Sequence, residues 1–419
     1  MAATRRRFVR WVGASASVAA VGAAHSADSA SGSEPASSEL TATTARQQFD
    51  FTEDRVPMNA ANLCPSPRSV AAAVTRYTQV IDQDPSFQNR GQFNDHLERS
   101  RRLVADGLGV PADEIALVRN TSEANNIINN GLDLKRGDEV VLWTQNHPTN
   151  NVAWDVRAQR FGLRVKRVDV PAAPDSVDQL LEPFRRALTR RTRVLTVTHI
   201  SNVSGLKLPL AELAELCRAR GVHFHVDGAQ SWGAVAMDLK AVGCDSFSGS
   251  AHKWFMGPKE VGVLYVRSEA IERIWPSTVA PGWGADAETD LVGARKFESL
   301  GQRDDAALAA IAVAAQLHTQ IGPAAIEQHM VTLSQRLKEG LVEAGARLVT
   351  PMNPAFSGGV CIADVPRAQR RELFDRLYRE HGIIGAPTGG LRLCPHLYNT
   401  AAHVDRAIAG VRALNALLA

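Results

Sequence analysis

Short apolar segments alternate with amphipathic segments between about residues 71 and 270, and this alternation constrains the fold more than any other feature of the sequence. Apolar runs such as residues 115–118 and 139–143 have the length of strands, whereas the segments between them have the apolar spacing of helices. This order predicts an α/β fold in which a mostly parallel sheet carries helices on both faces. Because the crossovers are right-handed, polar residues at the strand ends should gather along one edge of the sheet.

Two of the strand ends carry groups that are costly to bury alone. Residues 222–226 form an apolar strand that is followed by Asp227, and a carboxylate in this position needs a cationic partner. A Gly/Ser-rich loop about two dozen residues later contains Ser250, His252 and Lys253. Taken alone, this lysine would be interpreted as a solvated loop residue. The acid and the lysine together suit pyridoxal phosphate (PLP), because lysine forms a Schiff base with this cofactor and an acid pairs with its pyridinium nitrogen.

Polar turns follow the other strands as well. Thr121 and Ser122 come after the strand at residues 115–118 and begin an apolar helical run, where unpaired N–H groups and the helix dipole could bind an anion. Helix capping alone would also explain these two residues. His147 follows the next strand, although a lone histidine there is usually a polar loop residue. Asn202 follows another strand, beside a glycine turn that would by itself explain an asparagine.

A resemblance to a known family extends from about Asn59 to the C-terminus. It is carried by residues 226–266, which read VDGAQSWGAVAMDLKAVGCDSFSGSAHKWFMGPKEVGVLYV. These residues resemble the class V aminotransferases, fold-type I PLP enzymes that include cysteine desulfurases and isopenicillin N epimerase-like proteins. The resemblance implies an N-terminal segment at residues 49–70, a large PLP-binding domain at residues 71–300 with a seven-stranded, mostly parallel sheet, and a smaller α+β domain at residues 301–419. It also implies a homodimer.

The resemblance assigns roles to individual side chains. Lys253 would hold the cofactor covalently and move protons, Asp227 would keep the ring nitrogen protonated, and His147 would stack on the ring and move protons near the substrate carbon. Arg392, in the segment LRLCPHLYNT, would bind a substrate carboxylate, with a surface arginine on a strand as the alternative. Asn59 lies in a segment that would enter the active site beside the substrate. The implied cofactor contacts are Thr121, Ser122, His147, Asn202, Asp227, Gln230, Ser250, His252 and Lys253.

Within that set, each contact has its own target on the cofactor. Gln230 would hydrogen-bond the 3-oxygen, and Asn202 would bind either that oxygen or a substrate carboxylate. Ser250 and His252 would add donors to the phosphate. Gln302 departs from the family pattern, because many relatives have at this position a threonine that reaches the phosphate across the dimer. An amide donor would have to replace that contact.

The N-terminal residues predict export. Residues 4–10 read TRRRFVR and resemble the twin-arginine export motif, and a weakly apolar run that is too short to span a membrane completes a signal peptide at residues 1–24. A basic disordered N-terminus is the alternative. Residues 25–48 are rich in Ser, Ala and Thr and predict a disordered linker. The protein would then be periplasmic or secreted, would contact the twin-arginine translocase during export, and would have no permanent membrane anchor.

Charge and cysteine spacing give no argument for nucleic acid or metal binding. The formal charge is +3, but residues 1–24 hold four arginines and no acid, and without them 43 basic residues face 44 acidic ones. The five cysteines show no metal-binding spacing, so no metal site is predicted.

The sequence predicts an exported PLP-dependent enzyme that acts at an amino-bearing carbon of an amino acid or peptide-like secondary metabolite, by aminotransfer, epimerisation or oxidative tailoring. It is similar to isopenicillin N epimerase-like proteins and to the periplasmic PLP enzymes of pyoverdine siderophore maturation. A C–S lyase or cysteine desulfurase and a PLP-fold binding protein without catalysis are the alternatives. A desulfurase needs a reactive thiol shortly before the substrate-binding arginine, and residues 381–390 contain no cysteine.

Overall fold

The structure of the protein, a computed structural model, describes residues 41–279 and 292–418. The predicted signal peptide and most of the predicted linker lie outside these residues. The end of that linker is described, and Ala45–Gln48 forms a 3-10 helix. This corrects the prediction of disorder for these four residues. Ala45 is buried in an apolar cluster with Phe49 and Tyr398, a contact with the distant C-terminal region that the linker's composition could not indicate.

Helices and strands alternate over most of the described chain. The strands are β1 (Val56–Pro57), β2 (Ile115–Val118), β3 (Glu139–Trp143), β4 (Arg164–Val168), β5 (Thr192–Thr198), β6 (His223–Asp227), β7 (Ser246–Ser250), β8 (Gly262–Val266), β9 (Cys361–Ala363), β10 (Ile383–Ile384) and β11 (Leu391–Leu393). The α-helices are α1 (Arg68–Gln83), α2 (Phe87–Gly91), α3 (Phe93–Leu108), α4 (Thr121–Gly131), α5 (Pro148–Phe161), α6 (Val177–Ala187), α7 (Leu210–Arg218), α8 (Leu239–Val242), α9 (Ser268–Ile271), α10 (Asp305–Ile321), α11 (Pro323–Glu343), α12 (Arg370–His381) and α13 (Ala401–Ala413).

The central sheet has seven strands in the order β2-β8-β7-β6-β5-β3-β4. Neighbouring strands are parallel except at β8, which is antiparallel to both β2 and β7. This arrangement confirms the predicted fold class. It also brings the carboxyl ends of the parallel strands to one edge of the sheet, where ligands of such folds bind.

Apart from the edge strand β4, the sheet is largely buried on both faces, as expected when helices cover a parallel sheet. Its core contains fully buried aromatic side chains, among them Trp143, Phe184, Phe224 and Phe247. Burial of each such side chain contributes about 1.5–3 kcal/mol to folding. Strand β7 is different, because it reads SFSGS and is nevertheless buried at every residue. Its hydroxyl groups therefore need hydrogen-bond partners inside the protein.

A second apolar core lies around the C-terminal elements. Strands β9 and β11 form an antiparallel pair, and α11, α12 and α13 supply buried side chains such as Leu337, Leu377 and Val404. Strand β1 joins this core, because Val56 pairs in parallel with Ile383 of β10. The domain limits predicted at residues 49, 71 and 301 stay predictions. No helix among residues 41–279 and 292–418 is both long and apolar enough to cross a membrane.

Candidate active site

The side chains singled out in the sequence gather at the carboxyl edge of the central sheet. Asp227 is the last residue of β6, and Lys253 lies in the turn that follows β7. The charges of Asp227, Lys253 and Arg392 all act on the His147 ring, so these four side chains lie close to one another. Residues separated by up to 245 positions in the sequence are thereby brought into one site, while their individual roles stay predictions.

Lys253 is held in a tight turn in which its side chain is desolvated. The Met256 N–H donates a hydrogen bond of 2.9 Å to the Lys253 carbonyl oxygen. Burial lowers the pKa of the Lys253 ammonium below that of a solvated lysine, the Asp227 carboxylate opposes this shift, and the Arg392 guanidinium adds to it. A larger share of the side chain is therefore the uncharged amine at neutral pH, which is the form that attacks an aldehyde.

His147 caps the N-terminus of α5 with its own ring. Its Nδ1 accepts a hydrogen bond of 3.3 Å from the Thr149 N–H and lies 2.8 Å from Thr149 Oγ1. Burial lowers the pKa of His147, Asp227 opposes this shift, and Lys253 and Arg392 reinforce it. The ring is therefore neutral at physiological pH, and because Nδ1 serves as the acceptor, Nε2 carries the hydrogen.

Thr121 and Ser250 contact each other at the start of α4. The Thr121 backbone N–H donates to Ser250 Oγ at 2.8 Å, and the two hydroxyl oxygens are 2.7 Å apart. Asn120 caps the helix, since its Oδ1 accepts from the Glu123 N–H at 3.0 Å. Ser122 lies half-buried in the same first turn. The positive end of the helix dipole and these hydroxyls form an anion site, which fits the predicted phosphate position.

Asp227 is 1% exposed and receives two hydrogen bonds from the protein. The Ala229 N–H donates to Oδ1 at 3.0 Å, and Asn125 Nδ2 donates to Oδ2 at 2.9 Å. A buried carboxylate requires such donors. The sequence analysis did not identify Asn125 as part of the site, because the first turns of α4 were interpreted only as a capping and anion-binding segment.

Gln230 connects two other segments of the site. Its Nε2 donates to the Ala61 carbonyl oxygen at 3.0 Å, and its Oε1 accepts from Trp254 Nε1 at 2.7 Å. The amide thereby ties the segment around Ala61 to the loop that carries Lys253. The second N–H of the amide has no protein partner among the residues described. It is therefore free to make the predicted hydrogen bond to the cofactor's 3-oxygen, which stays a prediction.

His252 lies next to Lys253, and its carbonyl oxygen accepts a hydrogen bond of 2.9 Å from the Cys64 N–H. Burial, together with the positive charges of Lys253 and Lys259, lowers the pKa of the His252 ring to about 4. A phosphate beside this ring would offset those two positive charges. The positive charges around His252 therefore favour the predicted contact between this residue and the phosphate.

Arg392 is 4% exposed, and its guanidinium is held from two sides. One terminal nitrogen, Nη1, donates to the Asn202 carbonyl oxygen at 3.1 Å, and the other, Nη2, donates to Asn59 Oδ1 at 3.2 Å. The structure therefore brings together the residues predicted to contact substrate. Arg392 Nε and Asn202 Oδ1 are buried and have no hydrogen-bond partner. An unpaired buried guanidinium N–H is costly, and a bound carboxylate would supply the missing acceptor.

The thiols of the protein are all buried. The chain has five cysteines, and all of them fall within the described residues: Cys64, Cys217, Cys244, Cys361 and Cys394. Burial raises the pKa of Cys361, on β9, to about 12, and it also raises the pKa of Cys394, which directly follows β11 and lies two residues after Arg392. Since the thiolate is the reactive form, neither group is a nucleophile at neutral pH in this arrangement.

The residues present fit PLP. A desolvated lysine, a buried acid that accepts hydrogen bonds, and a helix N-terminus with two hydroxyls offer partners for the aldehyde, the ring nitrogen and the phosphate of this cofactor. Within the described ranges, no cluster of three or more His, Cys, Asp or Glu side chains could hold a metal ion.

Comparisons with known proteins agree with this assignment. The family model "Aminotransferase class-V" matches residues 63–404. An isopenicillin N epimerase of Amycolatopsis lactamdurans is 30% identical over 88% of this chain and 98% of that protein. A probable cysteine desulfurase of Methanothermobacter thermautotrophicus is 29% identical over 70% of this chain and 74% of that protein. Among solved structures, an apo cysteine desulfurase of Thermococcus onnurineus matches with a TM-score of 0.81 at 24% identity, covering 90% of this chain and 98% of that chain.

The similarity to the solved structure, at this level of identity, concerns the fold. The family model is decisive for membership, because it covers most of the chain and includes every segment that contributes to the site except the one around Asn59. The protein belongs to the class V aminotransferase family.

Proposed function

We propose that the protein is an exported enzyme that moves a proton at the amino-bearing carbon of an amino acid or a peptide-like secondary metabolite. This step would serve aminotransfer, epimerisation or oxidative tailoring, for instance of a siderophore precursor. The protein is a PLP-dependent enzyme of the class V family. The isopenicillin N epimerase relative, matched over 98% of its length, supports chemistry at such a carbon.

The cofactor supplies an electron sink for the electron pair that remains when the carbon loses its proton. Lys253 would hold it covalently, and Asp227 would pair with its ring nitrogen. The first turn of α4, with Thr121 and Ser250, would bind its phosphate. Asp227, Thr121 and Ser250 are fixed by the protein before any ligand arrives, since their hydrogen bonds run to neighbouring strands and helices.

Lys253 is the group that takes the proton. Burial lowers the pKa values of both Lys253 and His147, which favours the uncharged, proton-accepting form of each group. His147, however, uses Nδ1 as the acceptor for Thr149, so its other nitrogen already carries a hydrogen. We therefore assign the proton acceptor to the Lys253 amine, and the His147 Nε2–H stays a hydrogen-bond donor.

Arg392 carries the proposal. Its buried Nε has no partner, and its charge acts on Lys253. A carboxylate that fills this gap would place the neighbouring amino-bearing carbon of the same molecule close to the proton acceptor. An α-amino acid, or the terminal residue of a short peptide, has this combination of groups.

Exchange of the carbon-bound hydrogen with solvent tests the proposal without knowledge of the final product. The PLP-loaded protein is incubated in D₂O with a panel of amino acids and short peptides, and deuterium at the amino-bearing carbon is measured by NMR. We expect exchange with at least one carboxylate-bearing member, none after Lys253→Ala, and normal exchange after Lys259→Ala, a change of an exposed lysine in the same loop. Absence of exchange with every compound would instead support a binding protein without catalysis.

A C–S lyase or desulfurase is the second candidate, and the similarity to a probable cysteine desulfurase favours it. A desulfurase step requires a thiolate near the substrate, and the burial of all five thiols disfavours that step. A lyase that eliminates sulfur without a protein thiol is compatible with the site. Release of pyruvate and a persulfide or sulfide from cystine or cysteine would identify such activity.

Export and dimerisation complete the proposal. The motif TRRRFVR supports passage through the twin-arginine translocase to the periplasm or the exterior, and this system carries folded proteins with cofactors already bound. The homodimer would bring Gln302 toward the phosphate of a second copy. Gln302 is exposed, and its Nε2 donates to the Arg303 carbonyl oxygen at 2.8 Å. Sedimentation of the purified protein measures the oligomeric state, and a monomer at micromolar concentration would contradict the dimer.

A further inference from the structure

Polar side chains occupy alternate positions on two buried neighbouring strands. Alternate residues of a strand point to the same face of a sheet. Strand β6 reads HFHVD and β7 reads SFSGS, so each carries a row of polar groups on one face. The members of the two rows are His223, His225 and Asp227 on β6 and Ser246, Ser248 and Ser250 on β7. Helix α4, which carries Asn125, packs against this part of the sheet.

These side chains form a continuous hydrogen-bonded chain that ends on Asp227. Asn125 Nδ2 lies 2.9 Å from Asp227 Oδ2, and Asn125 Oδ1 lies 2.9 Å from His225 Nε2. Ser246 Oγ lies 2.8 Å from His225 Nδ1 and 2.9 Å from His223 Nε2. The chain thus runs from the catalytic edge of the sheet along β6 to the residue at which that strand begins.

The direction of each hydrogen bond follows from its partners. A carboxylate only accepts, so Asn125 presents its amide N–H to Asp227 and its oxygen to His225. His225 must then donate from Nε2, which makes Nδ1 the acceptor of the neutral ring and the recipient of the Ser246 hydroxyl hydrogen. Ser246 in turn accepts from His223 Nε2–H. Every donor therefore lies on the side away from Asp227, and every acceptor lies on the side toward it.

Both imidazoles in the chain are neutral. Burial lowers the pKa of His225 and of His223 to about 3, and the positive charges of Arg273 and Arg267 also act on His223. Ser248 adds a second donor to the same amide, since its Oγ lies 2.6 Å from Asn125 Oδ1. The hydrogen-bonded chain thus carries dipoles of one orientation and no net charge.

We propose that Asn125, His225, Ser246 and His223 are positioning residues that orient the Asp227 carboxylate and stabilise its negative charge for pairing with the cofactor's ring nitrogen. This inference rests on the role of Asp227 in the proposed function. The physical reason is that aligned dipoles stabilise an anion at their positive end and reinforce one another in a low-dielectric interior. A cationic partner would compete with the ring nitrogen for the carboxylate, whereas a neutral chain does not.

The far end of the hydrogen-bonded chain lies at the opposite edge of the sheet from the active site. His223 lines a cavity of about 180 Å³ there, together with Arg218, Arg267 and Arg273. Because the nearby guanidinium groups disfavour a protonated His223, they help to keep the outermost member of the chain in its neutral, donating form.

The binding of two cofactors separates this role from simple packing. The stripped full-length protein is titrated with PLP and with 1-deaza-PLP, in which a carbon replaces the ring nitrogen, and the dissociation constants are compared. We expect His225→Leu to weaken PLP binding on the order of tenfold, which corresponds to the loss of about one hydrogen bond, and to leave 1-deaza-PLP binding within about twofold. His225→Gln, which can still donate to Asn125, should restore most of the PLP affinity.

Ser246 offers a milder version of the same comparison. Ser246→Ala removes one oxygen and should weaken only PLP binding, by a smaller factor than His225→Leu, and Ser246→Thr should retain the affinity. Thr196→Val is the matched control, because Thr196 pairs with His225 across the sheet and its buried hydroxyl binds Asn150 outside the hydrogen-bonded chain. It should change neither dissociation constant.

Equal weakening of both cofactors in the Ser246→Ala and His225→Leu variants, or unchanged PLP binding in both, would overturn the inference. If His225→Leu does not fold, the comparison of Ser246→Ala with Ser246→Thr decides the question alone. The titrations involve no substrate, so they stay informative if the wild type catalyses no hydrogen exchange. Absence of hydrogen exchange would contradict the proposed function. The positioning role of the hydrogen-bonded chain would still be decided by the two dissociation constants.

Discussion

Arg392 Nη2 donates a hydrogen bond of 3.2 Å to Oδ1 of Asn59, across 333 positions of the sequence. The same guanidinium donates from Nη1 to the Asn202 carbonyl oxygen at 3.1 Å. A segment before α1, a turn after β5 and a strand near the C-terminus therefore fix one side chain together. The Nε–H is buried without a partner, so the fixed guanidinium keeps this donor available for a ligand.

Asn59→Ala should weaken substrate binding more than it slows turnover. The change removes the acceptor that holds Nη2 and lets the guanidinium rotate, so we expect KM for the exchange substrate to rise about tenfold and kcat to change by less than about threefold. Steady-state kinetics measures the two constants. Asn62→Ala, a change of an exposed asparagine in the same segment, is the control and should alter neither. A loss confined to kcat would contradict a binding role for Asn59.

The strands and their polar ends could be predicted because they depend on local patterns. Strands β2 and β3 have the predicted bounds, and β6 begins and ends one residue later than predicted, so that Asp227 is itself the last strand residue. The direction of parallel strands then determines that the residues after them share an edge. Membership of Asp227, Lys253 and His147 in one site followed from that rule and from the family motifs.

The supports behind these residues could not be predicted in the same way. The contact between Asn59 and Arg392 joins distant segments, and no periodicity encodes it. Asn125, His225 and Ser246 did leave a signal, because a buried strand of parallel type is expected to be apolar and β6 and β7 carry polar residues at every second position. We interpreted these strands by their ends and overlooked the polar rows between. Buried polar rows on adjacent strands predict an internal hydrogen-bonded network.

Lys253→Ala should abolish covalent attachment of PLP and leave the fold unchanged. Burial lowers the pKa of the Lys253 amine, and we therefore expect it to be the nucleophile that attacks the PLP aldehyde. We expect the variant to bind PLP without a borohydride-reducible bond and to show the far-UV circular dichroism of the wild type. Mass spectrometry after borohydride reduction measures the attachment. Lys259→Ala should keep it, because Lys259 Nζ binds Ser66 Oγ at the exposed surface. Persistent covalent PLP in the Lys253 variant would refute the assignment.

The free energy of unfolding should fall as the pH drops from about 6.5 toward 5. Burial lowers the pKa values of His199, His225 and His396 to about 3, whereas each is near 6.5 when unfolded. Between these values the unfolded chain binds more protons, so stability that is present above pH 6.5 is lost as the pH falls. Each histidine contributes a slope of about 1.4 kcal/mol per pH unit at most.

Urea unfolding at several pH values measures that slope. The window from about pH 6.5 to 5 is chosen because ordinary carboxylates stay ionised there. His396→Gln should give a shallower slope than the wild type, even if its stability at pH 7 is lower. A free energy of unfolding that is constant across the window would show that these histidines are not kept neutral by the fold.

Replacement of Arg5 and Arg6 by lysine should block export. Residues 4–10 read TRRRFVR, and the paired arginines are the part of this motif that the twin-arginine system recognises. We expect an unprocessed precursor that accumulates in the cytoplasm with PLP bound, because neither arginine is among the residues predicted to bind the cofactor. Fractionation and the absorption of bound cofactor measure location and loading. Normal export of the double variant would contradict this route.

The last prediction concerns sulfur chemistry. A desulfurase transfers sulfur from cysteine to a protein thiolate, which must be exposed and ionised near the substrate. Here Cys361 lies on β9 and Cys394 directly follows β11, both are buried, and burial raises the pKa of each thiol. Both the wild type and the Lys253→Ala variant are supplied with cysteine and a reductant. We expect the wild type to release no more sulfide than the variant does. Conversion of Cys361 and Cys394 to alanine should leave hydrogen exchange at the amino-bearing carbon within about twofold of the wild type, since neither residue is among those predicted to contact the cofactor or the substrate. Sulfide release that requires the wild-type thiols would place the protein with the desulfurases. Sulfide release that persists in the double alanine variant but requires Lys253 would instead indicate a C–S lyase.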